Sequence, residues 1–257
     1  FFVFLDMNTP DFFYDCGQFI IEDLSSSHFQ GIVESVCRVW PQSNLIIQAL
    51  SITGEMMKPY AELLIQRAIK EGLSVVVIDK RNNKVIGFVV IEDLNTAPLQ
   101  GTGKLDEPFQ IWMEYTKQIE SPYLESEQSK KDKTFHVSMA GIIPGYEGLY
   151  LARLAILVSM RKAYLKGYRK LFSVLTHQGS QGIAQDRYAQ TLYELKFSEF
   201  TFEGKKPLSS IQLESAKVAI LQIEQQTELE AYTKRMEVLQ KVHTDRYNKL
   251  HSNNSKL

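Results

Sequence analysis

The chain has 257 residues, of which 44% are hydrophobic and 23% are charged, and its formal net charge is −1. This balance is typical of a folded soluble protein and excludes a general electrostatic attraction for nucleic acid or acidic membranes. No apolar run approaches the roughly 20 residues that cross a bilayer, and two cysteines are too few for a disulfide framework. We therefore expect an intracellular protein with free thiols, in the cytoplasm or in a cytoskeletal or organellar assembly.

Three parts are predicted along the chain. Residues 1–17 are rich in aromatic side chains and are interpreted as an arm that packs on a surface. Residues 18–224 form the main domain, and 94–133 are an insertion within it because turn-rich and charged segments surround a short helical one. Residues 225–257 are predicted to form an amphipathic helix and a tail.

The domain is expected to open with a strand, "QFIIEDL" (18–24), followed by the helix "HFQGIVESVCRVW". Pro41 is expected to stop that helix because proline has no backbone N–H to donate. A second helix is predicted over 58–72, where apolar residues recur on one face, with Gly72 as its C-cap.

The strongest strand signal follows. "LSVVVID" and "KVIGFVVIED" flank the polar turn "KRNN" and predict a β-hairpin. Within the insertion, "FQIWMEYTKQI" predicts a helix and "ESEQSKKDK" a solvated charged loop. "TFHVSMAGII" (134–143) then returns to strand character.

The remaining elements predict a mixed α/β fold, an α+β arrangement with one mixed sheet. A long apolar helix is expected over 149–167, followed by the strand "RKLFSVLT" and the helix "SQGIAQDRYAQTLYEL". The segments "KFSEFTFEG" and "SAKVAILQIEQQ" are expected to form a final strand pair.

The C-terminal helix is predicted from about 228 to 247. One apolar stripe recurs at spacings of three and four, through Leu229, Tyr232, Met236, Leu239 and His243. This pattern fits a coiled-coil seam for a protein partner, and it fits docking on the chain's own domain equally well.

Four features together resemble the GNAT superfamily of N-acetyltransferases, and within it the arylalkylamine N-acetyltransferase-like branch. They are the hairpin segment with Gly87, the helical insertion, the strand-to-helix run "IIPGYEGLYLA" (142–152) and the ending "TLYELKFSEF". The resemblance spans about residues 18–224. It implies a GNAT acyl-CoA N-acyltransferase fold, acetyl-CoA held between two parted strands, and a small amine as substrate.

The resemblance places the pyrophosphate of acetyl-CoA at the strand-to-helix run. A helix start exposes backbone N–H groups and the positive end of its dipole, and the family adds glycines and an arginine there. Here Glu147 replaces that arginine and Tyr150 replaces a glycine; an acidic first turn that satisfies its own helix dipole is the alternative. The predicted cofactor-binding residues are Ile142, Ile143, Tyr146, Glu147, Gly148, Leu149, Tyr150 and Ala152.

Amine acetylation needs a base for the substrate ammonium and an acid for the leaving thiolate. His136 and Ser138 share one face of a predicted strand, where vertebrate-type relatives have two histidines, so His136 is the candidate base. Invertebrate-type relatives use a glutamate after the first helix, and Ser43 stands in its place. For the acid, the resemblance points to Tyr188 or Tyr193 on the last helix. Structural packing is the alternative role for each of these residues.

Two functions are therefore considered. The first is an acetyl-CoA-dependent N-acetyltransferase of small amines, against which Ser43, Glu147 and Tyr150 argue. The second is a non-catalytic GNAT-fold pseudoenzyme that serves as an interaction subunit of a larger protein assembly, bound through its C-terminal helix. The histidines show no metal-ligand spacing, and no nucleic-acid motif or membrane-inserting segment is expected.

Overall fold

The computed structural model describes residues 13–131, 133–185, 189–223, 234–235, 237–245 and 248. The strands are β1 (Phe13–Cys16), β2 (Phe19–Asp23), β3 (Val75–Asp79), β4 (Lys84–Asp93), β5 (Thr134–Ile142), β6 (Lys170–Leu175), β7 (Gln190–Lys196) and β8 (Ser215–Gln222). They form one eight-stranded mixed sheet in the order β1-β2-β3-β4-β5-β6-β8-β7. The predicted mixed α/β class is confirmed.

Helices pack against this sheet. They are α1 (Phe29–Ser43), α2 (Leu45–Ala49), α3 (Gly54–Glu71), α4 (Glu107–Leu124), α5 (Glu127–Lys131), α6 (Leu151–Leu165) and α7 (Gln178–Gln185). Residues 234–235 and 237–245 are also helical, and we call them the C-terminal helix. In the part of the chain that the structure describes, no helix has both the length and the apolar character needed to cross a bilayer.

The first five strands form an antiparallel meander. Each pairs with the next along the chain, and β3 is buried over its full length because both of its faces are covered. The hairpin predicted around "KRNN" is confirmed as β3 and β4. The last residues of the predicted N-terminal arm, Phe13–Cys16, belong to edge strand β1; residues 1–12 lie outside the described residues.

Helix α1 continues past the proline that was expected to stop it. Pro41 lies inside the helix, which ends at Ser43. The carbonyl that loses its helical donor at a proline is four residues earlier, at Cys37. Gly54, the first residue of α3, packs so closely there that a Cβ at this position would lie 2.8 Å from the Cys37 oxygen. Helices α1 and α3 therefore cross at the Cys37 carbonyl, which has no helical donor because residue 41 is proline.

The charged segment 125–133 is not wholly a loop as predicted, because it contains helix α5. Ser129 is buried to 1% exposure, and its hydroxyl donates to the carbonyls of Leu124 and Ser126. These bonds hold the short helix against the end of α4. The longer helix of the insertion, predicted from "FQIWMEYTKQI", is confirmed as α4.

The prediction of one helix over 180–195 is wrong for the second half of that segment. Helix α7 ends at Gln185, and residues 190–196 form strand β7, which pairs with β8. Correspondingly, the segment 197–204 that was expected to pair with β8 contains turns and one isolated bridge, between Phe202 and Lys205. Strand pairing along β8 thus overrides the local helical preference of "TLYEL".

The C-terminal helix packs on the body of its own chain. The Tyr14 hydroxyl donates to the Glu237 carboxylate, and Gln240 is buried to 3% exposure. Leu239 packs against the main core, and the ring of His243 lies 4.8 Å from that of Tyr150. In its described part, therefore, the predicted stripe faces the chain's own domain. Its other members, Leu229, Tyr232 and Met236, lie outside the described residues.

Candidate active site

Strands β5 and β6 part after a short parallel contact. Three residue pairs join them, from Thr134 with Lys170 to His136 with Phe172. Beyond these pairs, β5 continues to Ile142 and β6 to Leu175 without further pairing between them, while the other edge of β6 pairs with β8 over its whole length. The predicted pair of parted strands followed by a helix start is therefore present. Two cavities open from this wedge.

The first cavity, which we call the β5–β6 cleft, has a volume of about 360 Å³. Its walls are mainly apolar and come from both strands, from α6 and from α7. Small side chains on the two helices, Ala152 and Ala184, leave room between the strands. The cleft is therefore a narrow apolar slot that runs from the sheet toward the start of α6.

The second cavity, which we call the carboxylate cavity, has a volume of about 460 Å³. Its aromatic lining comes from α1, α3 and α4, where the rings of Tyr60 and Trp112 lie 4.9 Å apart and those of Trp40 and Trp112 lie 5.4 Å apart. Its charged lining includes Glu92, Glu120, Arg67 and Lys117. The carboxylate cavity thus combines ring faces with charged groups of both signs.

The two cavities meet at the wedge. The residues that line both are Trp40, Asn44, Ser138, Val174 and Thr176. Asn44 is buried, its side-chain oxygen caps α2 by accepting from the N–H groups of Ile46 and Ile47, and its amide nitrogen donates to the Thr176 hydroxyl over 3.3 Å. Because its oxygen is held by the helix start, the Asn44 amide presents its N–H groups to the junction.

Glu120 on α4 reaches the same cavity as His136 on β5. Its Oε1 atom lies 3.8 Å from Nε2 of His136, and the two side chains are each 16% exposed. Oε1 accepts no hydrogen bond from the described residues. A small side-chain rotation would bring the two atoms within hydrogen-bond distance. The pair is therefore placed to share one proton.

Burial sets the protonation of this pair. Burial, together with a smaller contribution from the nearby Glu92 carboxylate, raises the pKa of Glu120 to about 7. Burial, together with a smaller contribution from the Arg67 guanidinium, lowers the pKa of His136 to about 4. Near neutral pH the imidazole is therefore neutral, and Glu120 exchanges its proton in the range that suits a general base.

Arg67 and Glu92 form the fixed charges beside the pair. The guanidinium of Arg67 bonds the Glu92 carboxylate and donates to the carbonyl of Ala97 over 3.0 Å. Burial raises the pKa of Glu92, whereas Arg67 acts in the opposite direction. Because Arg67 offsets the charge of Glu92, the carboxyl of Glu120 is the acidic group of this cluster without a cationic partner among the described residues.

His136 and Ser138 both line the carboxylate cavity. A β-bulge lies between them, since Val137 pairs with Ile91 and Met139 with Val90, and the Ser138 hydroxyl donates to the Val90 carbonyl over 3.3 Å. Ser43 also lines the β5–β6 cleft, but its hydroxyl donates back to the carbonyl of Val39. No carboxylate stands at that position.

The predicted acid Tyr193 is not at the junction. It lies on strand β7 rather than on a helix, and it lines neither cavity. Its hydroxyl lies 3.4 Å from the main-chain carbonyl of Glu120, and burial raises its pKa to about 12. Tyr193 thus supports the end of α4 that carries Glu120. Tyr188 lies outside the described residues.

Most of the predicted cofactor-binding side chains point into the body of the domain. Ile143 and Leu149 are each buried to 3% exposure, and the Tyr146 hydroxyl donates to Asp79 over 2.9 Å. Of the eight predicted residues, all of them described, Ala152 lines the β5–β6 cleft. Any contact of the others with a cofactor would therefore come mainly from the backbone.

The start of α6 departs from a phosphate-binding loop. Glu147 is exposed, and its Oε2 atom accepts the N–H of Gly145 over 2.6 Å, so an internal carboxylate already occupies one loop amide. Tyr150 begins the helix in the left-handed region (φ 58°), with its ring against His243. The cleft fits the slender arm of an acyl-CoA, whereas this loop does not fit its diphosphate.

Sequence reasoning missed Glu92 and Glu120. Glu120 lies on α4 directly after Ile119, within a stripe of buried residues that also includes Trp112 and Tyr123. A carboxylate beside such a stripe is a signal, because an acidic side chain is rarely buried without a partner. The segment "FQIWMEYTKQI" predicts a helix, and the carboxylate lies directly after it.

No protein-family profile matches the chain, and a search of curated proteins finds no match. Solved structures do match. The C-terminal condensation domain of Ebony in complex with beta-alanyl-dopamine has a TM-score of 0.71 and 16% identity, covering 80% of this chain and 99% of that one. A mosquito arylalkylamine N-acetyltransferase-like protein, 5b, has a TM-score of 0.70 and 14% identity, with 80% and 100% coverage. Arylalkylamine N-acetyltransferase 2 from Aedes aegypti has a TM-score of 0.67 and 17% identity, with 81% and 100% coverage.

The TM-scores of these matches establish the fold, whereas their low sequence identities leave the activity open. In this chain the fold comprises the mixed sheet, the parted strands β5 and β6 and the helix that follows β5. The chain therefore has the GNAT fold of the arylalkylamine N-acetyltransferases.

Proposed function

We propose that the chain is an N-acyltransferase that transfers an acyl group from a thioester to a small primary amine. The observation that carries this proposal is the position of Glu120. Its carboxyl lies in a cavity that joins the β5–β6 cleft, 3.8 Å from His136 and without a cationic partner among the described residues. A base of this kind is what an ammonium substrate requires before it can attack.

In this proposal the amine enters from the carboxylate cavity and the thioester from the β5–β6 cleft. The aromatic rings of Trp40, Tyr60 and Trp112 attract a cation through their faces and pack against an apolar body. Glu92 is paired with Arg67, so the Glu120 carboxyl supplies the negative charge when it is ionised. An amine that joins a cationic group to a compact apolar body fits this lining.

Glu120 takes one proton from the substrate ammonium. The free amine then attacks the thioester carbonyl, a C–N bond forms and the C–S bond breaks. The attacking nitrogen loses a second proton as the amide forms, and the leaving thiolate takes up a proton. The balanced products are an amide, a thiol and one proton, which leaves through Glu120. His136, neutral near pH 7, accepts a hydrogen bond from protonated Glu120 and so keeps the carboxyl directed at the junction.

The carbonyl of the thioester needs a donor as negative charge develops on its oxygen. Asn44 is suited to this role because its oxygen is held by the start of α2 while its N–H groups face the junction. Thr176, which accepts from Asn44, lines both cavities and offers a hydroxyl at the same place.

The experiment is a transfer assay with the purified full chain. Acetyl-pantetheine and acetyl-CoA are each supplied with a panel of arylalkylamines, alkylamines and polyamines, and thiol release and amide formation are measured together. We expect amide and thiol in equal amounts with at least one amine. Absence of transfer from both donors to every amine in the panel would overturn the proposal.

A second candidate function is an interaction subunit. Val238 and Val242 lie one turn apart on the C-terminal helix and are exposed by 64% and 58%. Such a pair favours contact with another protein. Changing both residues to Asp should remove specific partners from the protein isolated from its cells, while leaving the unfolding temperature within about 2 °C. An unchanged set of partners would contradict this function.

A further inference from the structure

The β5–β6 cleft offers a strand edge as well as an apolar slot. Strand β5 pairs with β6 only up to His136, but it continues to Ile142. Its next residues, Val137 to Ala140, line the cleft. The Val137 carbonyl accepts the Ser173 hydroxyl of β6 over 3.3 Å, so the edge offered to a ligand begins after it. An extended molecule with amide groups can add to such an edge through main-chain hydrogen bonds. A pantetheine arm has two amides in an extended chain and ends in a thiol, which would reach the junction near Thr176.

The loop that leads into α6, the helix whose Ala152 lines the cleft, has the opposite character. Glu147 places a carboxylate on the loop amide of Gly145 over 2.6 Å. A second negative group brought to this loop would lose that amide and would be repelled by the carboxylate. The loop therefore disfavours a diphosphate, although it stabilises its own backbone well.

Tyr150 closes the start of α6 from the other side. A tyrosine side chain stands at the N-cap, and its ring is flanked by the His243 ring at 4.8 Å and by the Arg153 guanidinium at 5.8 Å. His243 belongs to the C-terminal helix, which Tyr14 and Leu239 hold on the body. The rings of Tyr150 and His243 therefore stand together beside this helix start.

We infer that the acyl donor of this site is a thioester on a pantetheine arm that lacks the nucleotide diphosphate of coenzyme A. This inference rests on the proposed acyl transfer. It follows from the contrast between the cleft, which is open to the arm, and the loop, where Glu147 and Tyr150 occupy the diphosphate position. Such arms occur as free pantetheine thioesters and as phosphopantetheine attached to a serine of a carrier domain.

The test compares acetyl-pantetheine, acetyl-phosphopantetheine and acetyl-CoA with the same amine and the full chain. In the wild type we expect kcat/KM for acetyl-CoA to be no more than about threefold that for acetyl-pantetheine, because the nucleotide gains no binding energy. Glu147→Arg should raise kcat/KM for acetyl-CoA by about tenfold and leave acetyl-pantetheine within about twofold. Glu34→Arg, on the exposed face of α1, changes the net charge by the same amount and is the control. It should leave kcat/KM for both donors within about twofold.

A wild-type preference for acetyl-CoA above about threefold, or no selective gain with Glu147→Arg, would overturn the inference while leaving the proposed acyl transfer in place. No transfer from any donor would overturn the acyl transfer and this inference with it. In a last experiment, acetylated phosphopantetheine is supplied attached to a carrier domain. A higher kcat/KM than for the free arm identifies the tethered source, and an equal or lower one identifies the free thioester.

Discussion

Oε1 of Glu120 lies 3.8 Å from Nε2 of His136, although the residues come from an insertion helix and a central strand. Burial disfavours a charge on either side chain, raising the pKa of the acid and lowering that of the imidazole. Near neutral pH the two groups therefore hold one exchangeable proton on the carboxyl. This arrangement gives the proposed reaction its base, and most of the predictions below depend on it.

Glu120→Gln should abolish most of the acyl transfer. The amide keeps the shape of the carboxyl but cannot take a proton, so kcat/KM should fall by about 10²–10⁴-fold. Glu114→Gln on the same helix, where the side chain accepts from Gln118, is the matched control and should retain activity within about twofold. Equal activity of Glu120→Gln and the control would rule out Glu120 as the base.

The pH profile should report the same group. With a pKa of about 7, Glu120 is deprotonated only in the upper part of the neutral range, so log(kcat/KM) should rise with pH and level off above about 7. The acceptor should be an amine with a pKa well above 9, so that its own titration lies outside the window. A profile that is flat between pH 6 and 8 would contradict this assignment.

Stability should depend on pH through Glu120 with a defined sign. Its pKa is raised on folding, so the folded state holds the proton more tightly. The stabilisation is complete below the unfolded pKa of about 4.5 and is lost as pH rises through about 7. Glu120→Gln removes this loss, so its Tm relative to wild type should increase by about 2–3 °C between pH 6.5 and pH 8.5.

Above pH 6.5 the titration of His136 does not contribute to the change in the Tm difference. The pKa of His136 is lowered on folding, so its contribution is lost only as pH falls below about 6.5 toward 4. Differential scanning calorimetry of both proteins in matched buffers gives the comparison. A Tm difference that is constant, or that shrinks with rising pH, would show that Glu120 is ionised in the fold at ordinary carboxyl pH values.

Two glycine-to-alanine substitutions should change the free energy of unfolding in opposite directions. Gly54→Ala brings a Cβ to 2.8 Å from the Cys37 carbonyl and should lower the free energy of unfolding by about 1–3 kcal/mol. Gly182, inside α7, has no described atom within 4 Å of an added Cβ, so Gly182→Ala should raise it by up to about 1 kcal/mol. Urea unfolding measures both. A neutral Gly54→Ala would mean that α1 and α3 can separate without cost.

The C-terminal helix should contribute to the stability of the body. Leu239→Ala removes a side chain that packs against the core and should lower the free energy of unfolding by about 1–2 kcal/mol. Val238→Ala, at a position exposed by 64%, should change it by less than about 0.5 kcal/mol. Indistinguishable urea curves for the two variants would show that the helix is not docked on the body in solution.

The hairpin β3–β4 and the helix after β5 could be predicted because each sequence segment determines its own structure: a polar turn between apolar runs, and an apolar run after a Pro-Gly turn. Strand β7 could not be predicted, because "TLYEL" becomes a strand only through pairing with β8. The continuation of α1 past Pro41 could not be predicted either, because it depends on the packing of Gly54 of α3 against the Cys37 carbonyl. That His136 and Ser138 lie near each other could be predicted because they are two residues apart on one strand. Glu120 was missed because its neighbour His136 is distant in sequence.

The short seam between β5 and β6 has a mechanical consequence. Three residue pairs carry the strand pairing between the part of the sheet built by β1 to β5 and the part built by β6 to β8. A ligand seated in the wedge would bond to both parts and act as an additional strand between them. Occupancy of the cleft should then suppress hydrogen exchange on both flanks at once, so the two halves of the molecule would open and close together.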